Sequence, residues 1–227
     1  MDNLTLSVNE ILSNLGNGET SQYLLENIVD ALRDDDEVKI IHPSRYFSSH
    51  DMPYSLRNED SKFNTITINS QSIHAKFDEL VILIEILKQQ NIHIDAICVQ
   101  ETWLDDTSDI SRFHLEGYTC VSQGKYCCSR GGLFIYVDSK YDTKRINCCP
   151  RSNIWEGLFV EVSSEDMESA LIIGNIYKPP KNNNNNENSQ TFITELEPVF
   201  SYRDKTNLDA ILAGDYNINL LQINERL

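Results

Sequence analysis

The sequence predicts an α/β domain built as a mixed-sheet sandwich, and three observations carry that prediction. Short apolar runs of strand length recur through residues 63–227, and several follow one another without a helix between them. Two longer stretches in the same region repeat their apolar residues at helical spacing. Strands and helices therefore alternate irregularly, which suits a mixed-sheet sandwich better than a doubly wound parallel sheet.

In chain order, residues 1–62 differ in character from the rest and read as an acidic N-terminal arm. "SQYLLENIVDALRDDD" sets Tyr23, Leu24, Ile28 and Leu32 at helical spacing, predicting a short amphipathic helix that the acidic run 34–37 ends. "HPSRYFSSHDMPYSLRNEDSK" is polar, proline-punctuated and without a period, as a linker would be. From Asn64 the pattern tightens: "NTITI" alternates as a strand does. "KFDELVILIEILKQQ" then places Phe77, Leu80, Val81, Ile84 and Leu87 on one helical face. "IDAICVQE" is a buried strand running into a carboxylate, and "GGLFIYVDS", "EGLFVEVSS" and "SALIIGNIYK" are three more strands bounded by turn residues. "KNNNNNENS" is a low-complexity polar insert, expected to be a surface loop. "QTFITELEPVF" turns Phe192, Leu196 and Val199 inward on a helix, and "DAILAGDYN" is a last buried strand. Residues 105–130 are expected to form a surface loop.

Composition bounds the function. With 227 residues there is ample material for a core, and 40% hydrophobic with 24% charged residues is ordinary for a globular protein. The net charge of −16 argues against general affinity for phosphate backbones, which a basic face would supply. It does not argue against a local site for a divalent cation, which needs carboxylates. No run reaches the ~18 apolar residues of a membrane span, and "MDNLTLSVNE" lacks the basic and apolar regions of a secretory signal. The six cysteines include the adjacent pairs Cys127–Cys128 and Cys148–Cys149, whose spacing matches no zinc pattern and fits a reduced, intracellular chain.

Chemistry gathers at strand ends. Asn69 follows "TITI", Glu101 follows "AICVQ", Tyr177 follows "LIIGNI", and Asp215 and Asn217 follow "AILAG". Each alone is unremarkable: a solvated carboxylate, a turn residue or an amphipathic core edge. As a set, two carboxylates, two amides and a phenol suit a hard cation with oxygen ligands and a phosphoryl group held beside it. Gly214 is expected to let the backbone approach closely at its strand end.

"INSQSIHAKFDEL", "ICVQETWLDD", "RGGLFIYVDS", "GNIYKPP" and "GDYNINLL" stand in the order and rough spacing of the endonuclease/exonuclease/phosphatase superfamily. The dialect, "QETWL" and "IYKPP" above all, most resembles the apurinic-type endonuclease domain at the front of non-LTR retrotransposon polyproteins. The resemblance implies a four-layer α/β sandwich, two packed mixed sheets with outer helices, over residues 63–227. It implies Mg²⁺-dependent phosphodiester hydrolysis (Mn²⁺ substituting) that nicks DNA to prime reverse transcription, and hence a nuclear location, although no basic import cluster is present. By the same resemblance Glu101 is the main metal ligand with Asn69 supporting it. Tyr177 donates to a phosphate oxygen, Asp215 orients or deprotonates the attacking water, and Asn217 is an amide donor to the transition state.

One departure matters. The family pattern continues after the "GDxN" strand to a serine-aspartate-histidine motif, whereas the five histidines here, at 42, 50, 74, 93 and 114, all precede Tyr177. The expectation is a C-terminally truncated domain with an incomplete second half, an uncovered apolar sheet face, and weak or no activity. Two other functions fit the residues: a nucleotide or inositol-phosphate phosphoesterase of the same superfamily, and a non-catalytic interaction protein whose arm and asparagine tract contact partners.

Overall fold

The computed structural model describes residues 4–7, 63–180 and 188–217. The expected helix around Tyr23–Leu32, the linker that follows it and most of the asparagine-rich insert lie outside the described residues.

Nine strands and two α-helices are described. They are β1 (Leu4–Ser7), β2 (Asn64–Asn69), α1 (Ile73–Gln89), β3 (Ala96–Gln100), β4 (Tyr118–Gln123), β5 (Leu133–Asp138), β6 (Asp142–Ile146), β7 (Glu156–Ser163), β8 (Leu171–Tyr177), α2 (Asn188–Thr206) and β9 (Asp209–Asp215). The first sheet has the order β1-β2-β3-β5-β4 and the second β6-β7-β8-β9. Both are mixed. In the first sheet β1, β2 and β3 run parallel while β5 is antiparallel to both its neighbours. In the second, only β8 and β9 run parallel.

Each parallel pair that flanks the site is joined by a helix, and each helix covers the outer face of its own sheet. On α1, Ile73, Leu80, Ile84 and Leu87 are buried, and they pack with Ile66, Ile97, Val99, Phe134 and Tyr136. On α2, Phe192, Leu196 and Val199 pack with Trp155, Phe159, Ile172 and Ile176. A third cluster lies between the sheets, with Ala96, Cys98, Leu133, Ile135 and Val137 facing Leu158, Val160, Ile173, Ile211 and Ala213. The layers are thus helix, sheet, sheet, helix, the four-layer arrangement expected above. The alternation within β3, β5, β7 and β8 explains why these strands read as continuous apolar runs: both faces are covered.

Four findings add to or differ from the sequence reading. Strand β4 and a 3₁₀ turn at Ser111–Phe113 occupy part of the segment expected to be a surface loop. In "YTCVSQ" only Tyr118 and Gln123 are buried, so the segment carries little alternation. Strand β6, "DTKRI", was also missed; it is mostly charged and exposed, as suits an edge. Leu4–Ser7, assigned to the arm, pairs in parallel with β2. The uncovered sheet face is not seen among the described residues either. The large exposed apolar side chains are Ile82, Ile86, Trp103, Ile110 and Phe200, on helices and loops rather than on the second sheet.

Candidate functional site

Parallel pairing places the C-terminal ends of neighbouring strands at one edge, and both sheets do this at the same end of the sandwich. Asn69 pairs with Gln100 at the end of β2 and β3, and Tyr177 pairs with Asp215 at the end of β8 and β9. The Asn69 amide nitrogen then crosses from one sheet to the other. It donates to Glu101 Oε1 at 2.8 Å and to Asp215 Oδ2 at 2.9 Å, using both of its hydrogens. Its oxygen accepts the Gln71 N–H at 3.2 Å, so in this orientation Asn69 steers the two carboxylates and offers them no oxygen.

Glu101 is 8% exposed and sits at φ 53°, where non-glycine residues rarely go. Its neighbours share the strain: Gln71, Ser72, Trp103 and Asn217 also have positive φ. Each such residue costs on the order of 1–3 kcal/mol, a cost often stored at functional sites. Hydrogen bonds hold the turn in place. Ser70 Oγ donates to the carbonyls of Gln100 and Glu101, Ser72 N–H donates to Glu101 O, and Thr102 and Trp103 N–H donate to Gly132 and Gly131 O. Trp103 Nε1 lies 3.4 Å from Glu101 Oε2, with the indole partly exposed beside the carboxylate.

The Tyr177 phenol is held protonated well above its ordinary range. Burial is the main cause, followed by the charge of Glu101, to which the hydroxyl donates, and then Cys128 and Asp215. Asn217 donates through its side-chain nitrogen to Lys178 O at 2.9 Å and through its backbone N–H to Asp215 Oδ1 at 3.3 Å. One amide hydrogen of Asn217 is left for another acceptor. Gly214 has φ 144°, and a Cβ there would run into the carbonyl of Ile176, so the close approach expected of it is present.

All five residues singled out from the sequence therefore meet at one end of the sandwich. Three others escaped it. Asn175, in mid-β8, donates to Val99 O and Phe134 O, both at 2.9 Å, and accepts from Gln100 Nε2. Gln100 in turn donates to Thr67 Oγ1 at 2.9 Å. This buried polar contact ties β8 to β2, β3 and β5 just beneath the site. Glu156, fully buried opposite Tyr177, accepts the N–H groups of Tyr126, Cys127 and Gly132 and so fixes the loop before β5. The available signal was a lone polar residue in an apolar strand, as in "LIIGNIY" and "AICVQ".

Around Asn69 the donor set is oxygen-only where it is anionic, two carboxylates brought together by one amide. That fits a hard divalent cation such as Mg²⁺, which binds through one or two carboxylates and keeps several waters.

By sequence no curated protein matches. Among solved structures, the AP endonuclease LMAP from Leishmania major matches with a TM-score of 0.50 at 14% identity, covering 92% of this chain and 66% of that one. Truncated TDP2 from Caenorhabditis elegans matches at 0.49 and 15%, covering 68% and 62%. The 3′-5′ exonuclease NExo from Neisseria meningitidis matches at 0.44 and 18%, covering 67% and 57%. At such identities the likeness concerns the fold, and the chain spans 57% to 66% of the length of these three. Family models give the decisive match, residues 66–222 to the Endonuclease/Exonuclease/phosphatase family, a span that contains all five site residues. The chain belongs to the endonuclease/exonuclease/phosphatase family.

Proposed function

We propose that the chain is a Mg²⁺-dependent phosphodiester hydrolase domain acting on DNA, an endonuclease of the retrotransposon type. The observation that carries the reading is the Asn69 amide bound at once to Glu101 of one sheet and Asp215 of the other. Such a bridge sets two anionic groups side by side at a rigid edge, where repulsion would otherwise part them. The "QETWL" and "IYKPP" stretches favour the retroelement type over a nucleotide or inositol phosphatase.

In this reading Glu101 would hold the cation, with Asn69 keeping its carboxylate in place. When bound, the cation would polarise a phosphoryl oxygen and offset the charge that builds on it. Asp215 takes the role of orienting the attacking water and accepting its proton, its carboxylate held by Asn69 and the Asn217 N–H. Tyr177, kept protonated, is a hydrogen-bond donor, and the remaining hydrogen of Asn217 faces charge on the phosphate. A preorganised donor of this kind contributes about 3 kcal/mol.

Among the described residues, His74 packs its ring on Phe113 and His93 pairs with Asp95 and Asp138. Residence in the nucleus accompanies the reading and is tested by imaging a fluorescent fusion.

The test is Mg²⁺-dependent nicking of supercoiled plasmid by monodisperse protein, with Asp215→Asn as background and a nucleotide monophosphate and an inositol phosphate as parallel substrates. Nicking that exceeds the Asp215→Asn background supports the reading. Phosphate release from the monoesters with no nicking replaces it by the phosphatase reading. No turnover of any substrate, with Mg²⁺ binding intact, leaves the interaction protein.

A further inference from the structure

We propose that Cys127, Cys128 and Glu156 form a second metal site, one that takes a thiophilic divalent ion of the zinc class. The two Sγ atoms and a Glu156 carboxylate oxygen lie within 4.8 Å of one another. The thiols come from the loop between β4 and β5, and the carboxylate is the first residue of β7. This third ligand is what the cysteine spacing could not reveal.

The geometry is close to a ligand set. Zinc bonds of about 2.3 Å to sulfur and 2.0–2.2 Å to oxygen put tetrahedral ligands roughly 3.5–3.8 Å apart. The separations are thus within about 1 Å of that set, and both half-buried thiols stand on a loop rather than a strand. Glu156 meanwhile is fixed before any ion arrives. Its Oε1 accepts from Tyr126 N–H at 2.9 Å and Cys127 N–H at 3.0 Å, and its Oε2 accepts from Gly132 N–H at 2.6 Å. A carboxylate offers about four lone-pair directions, so the three N–H groups leave one, the direction the Cys127 thiol now uses and an ion would take over. Its orientation is imposed by the backbone bonds, as outer partners orient metal ligands elsewhere.

The Cys127 thiol hydrogen-bonds to Glu156 and touches Cys128, so a proton occupies the space between the prospective ligands. An incoming divalent ion displaces the thiol protons to solvent, leaving two thiolates and one carboxylate around it with a fourth position for water. Sulfur ligands select against Mg²⁺, which the oxygen groups at Glu101 and Asp215 suit. The two sites thus separate soft from hard ions at one end of the molecule.

Occupancy bears on the Glu101 turn. The loop that carries both thiols continues into Gly131 and Gly132, whose carbonyls receive the N–H groups of Trp103 and Thr102 directly after Glu101. An ion there clamps this loop to β7 and stiffens the turn. The inference does not depend on the nuclease reading, since its readouts are binding and stability.

The test is a Co²⁺ titration of the reduced, chelator-treated full chain. A thiolate-to-cobalt charge-transfer absorption saturating at one equivalent is expected, bleached by one equivalent of Zn²⁺ and unaffected by tenfold excess Mg²⁺. Cys127→Ser and Cys128→Ala should each abolish the band while keeping the wild-type far-ultraviolet spectrum. The Cys148→Ser/Cys149→Ser double variant should retain it. One equivalent of Zn²⁺ should also raise Tm in wild type and leave it unchanged in Cys127→Ser. Absence of the band in wild type, its persistence in either single variant, or its loss only in the Cys148/Cys149 double variant overturns the proposal.

Discussion

Asn69 and Asp215, 146 positions apart in the chain, are joined by a 2.9 Å hydrogen bond that runs from the edge of one sheet to the edge of the other. The same nitrogen binds Glu101, so one amide sets the spacing of both carboxylates.

Asn69→Ala removes that spacing and leaves two acidic groups facing each other. Mg²⁺ affinity is expected to fall 10–100-fold, the usual cost of losing a partner that orients a metal ligand. Glu101→Gln should lose stoichiometric Mg²⁺ binding altogether. Isothermal titration of the three proteins checks this; equal binding by wild type and Glu101→Gln removes Glu101 from the ligand set.

The polar contact beneath the site should be worth more than its neighbours in the apolar core. Asn175→Ala deletes two donors to buried carbonyls and one acceptor of the Gln100 amide, which keeps Thr67. Breaking buried polar contacts of this kind costs about 1–3 kcal/mol, and a loss in that range is expected in urea unfolding. The apolar Asn175→Leu, which fills the space, should recover part of it, since Val99 and Phe134 also face each other in the β3–β5 ladder.

Acid should weaken the far end of the first sheet. Burial alone would raise the Asp95 carboxyl, but hydrogen bonds from His93, Lys140, the Asn64 N–H and Tyr141 outweigh it and bring it from 3.8 to about 2. With the folded value depressed, the contribution is complete above pH ~4 and is lost as pH falls through about 2. Its size is about 2 kcal/mol at neutral pH. Unfolding free energy measured between pH 6 and pH 2 should fall less steeply in Asp95→Asn than in wild type.

Gly214→Ala tests the strand end. A side chain at φ 144° is strained, and its Cβ meets the Ile176 carbonyl with no room to relax. A loss of about 3 kcal/mol is expected from strain and overlap together. Thermal unfolding reads it directly, and a Tm within a degree or two of wild type contradicts the close approach.

Much of this was legible because strands buried on both faces write themselves as apolar runs. "AICVQ" and "LIIGNIY" needed no context, and their polar ends marked the edge where Asn69, Glu101, Tyr177 and Asp215 now stand. Helix α1 was equally plain, since Leu80, Ile84 and Leu87 keep a helical period. The edge strands β4 and β6 were not, because "DTKRI" buries only Ile146 and so carries no periodic signal. Pairing across the sandwich was invisible for a different reason. Nothing local tells Asn175 that its partners are the carbonyls of Val99 and Phe134, or tells two adjacent cysteines that Glu156 lies opposite.

Because Asn69 and Glu101 belong to one sheet and Asp215 and Tyr177 to the other, the site works as a gauge of how the two sheets are aligned. A slide of one strand residue is about 3.3 Å, longer than the bond that joins the sheets. Residues far from the edge, such as Ile135 and Val160 in the interface between the sheets, thereby acquire a say in the chemistry. Repacking there can leave the fold standing and still part the two halves of the site, so tolerance of core changes in this molecule is set by registration before it is set by stability.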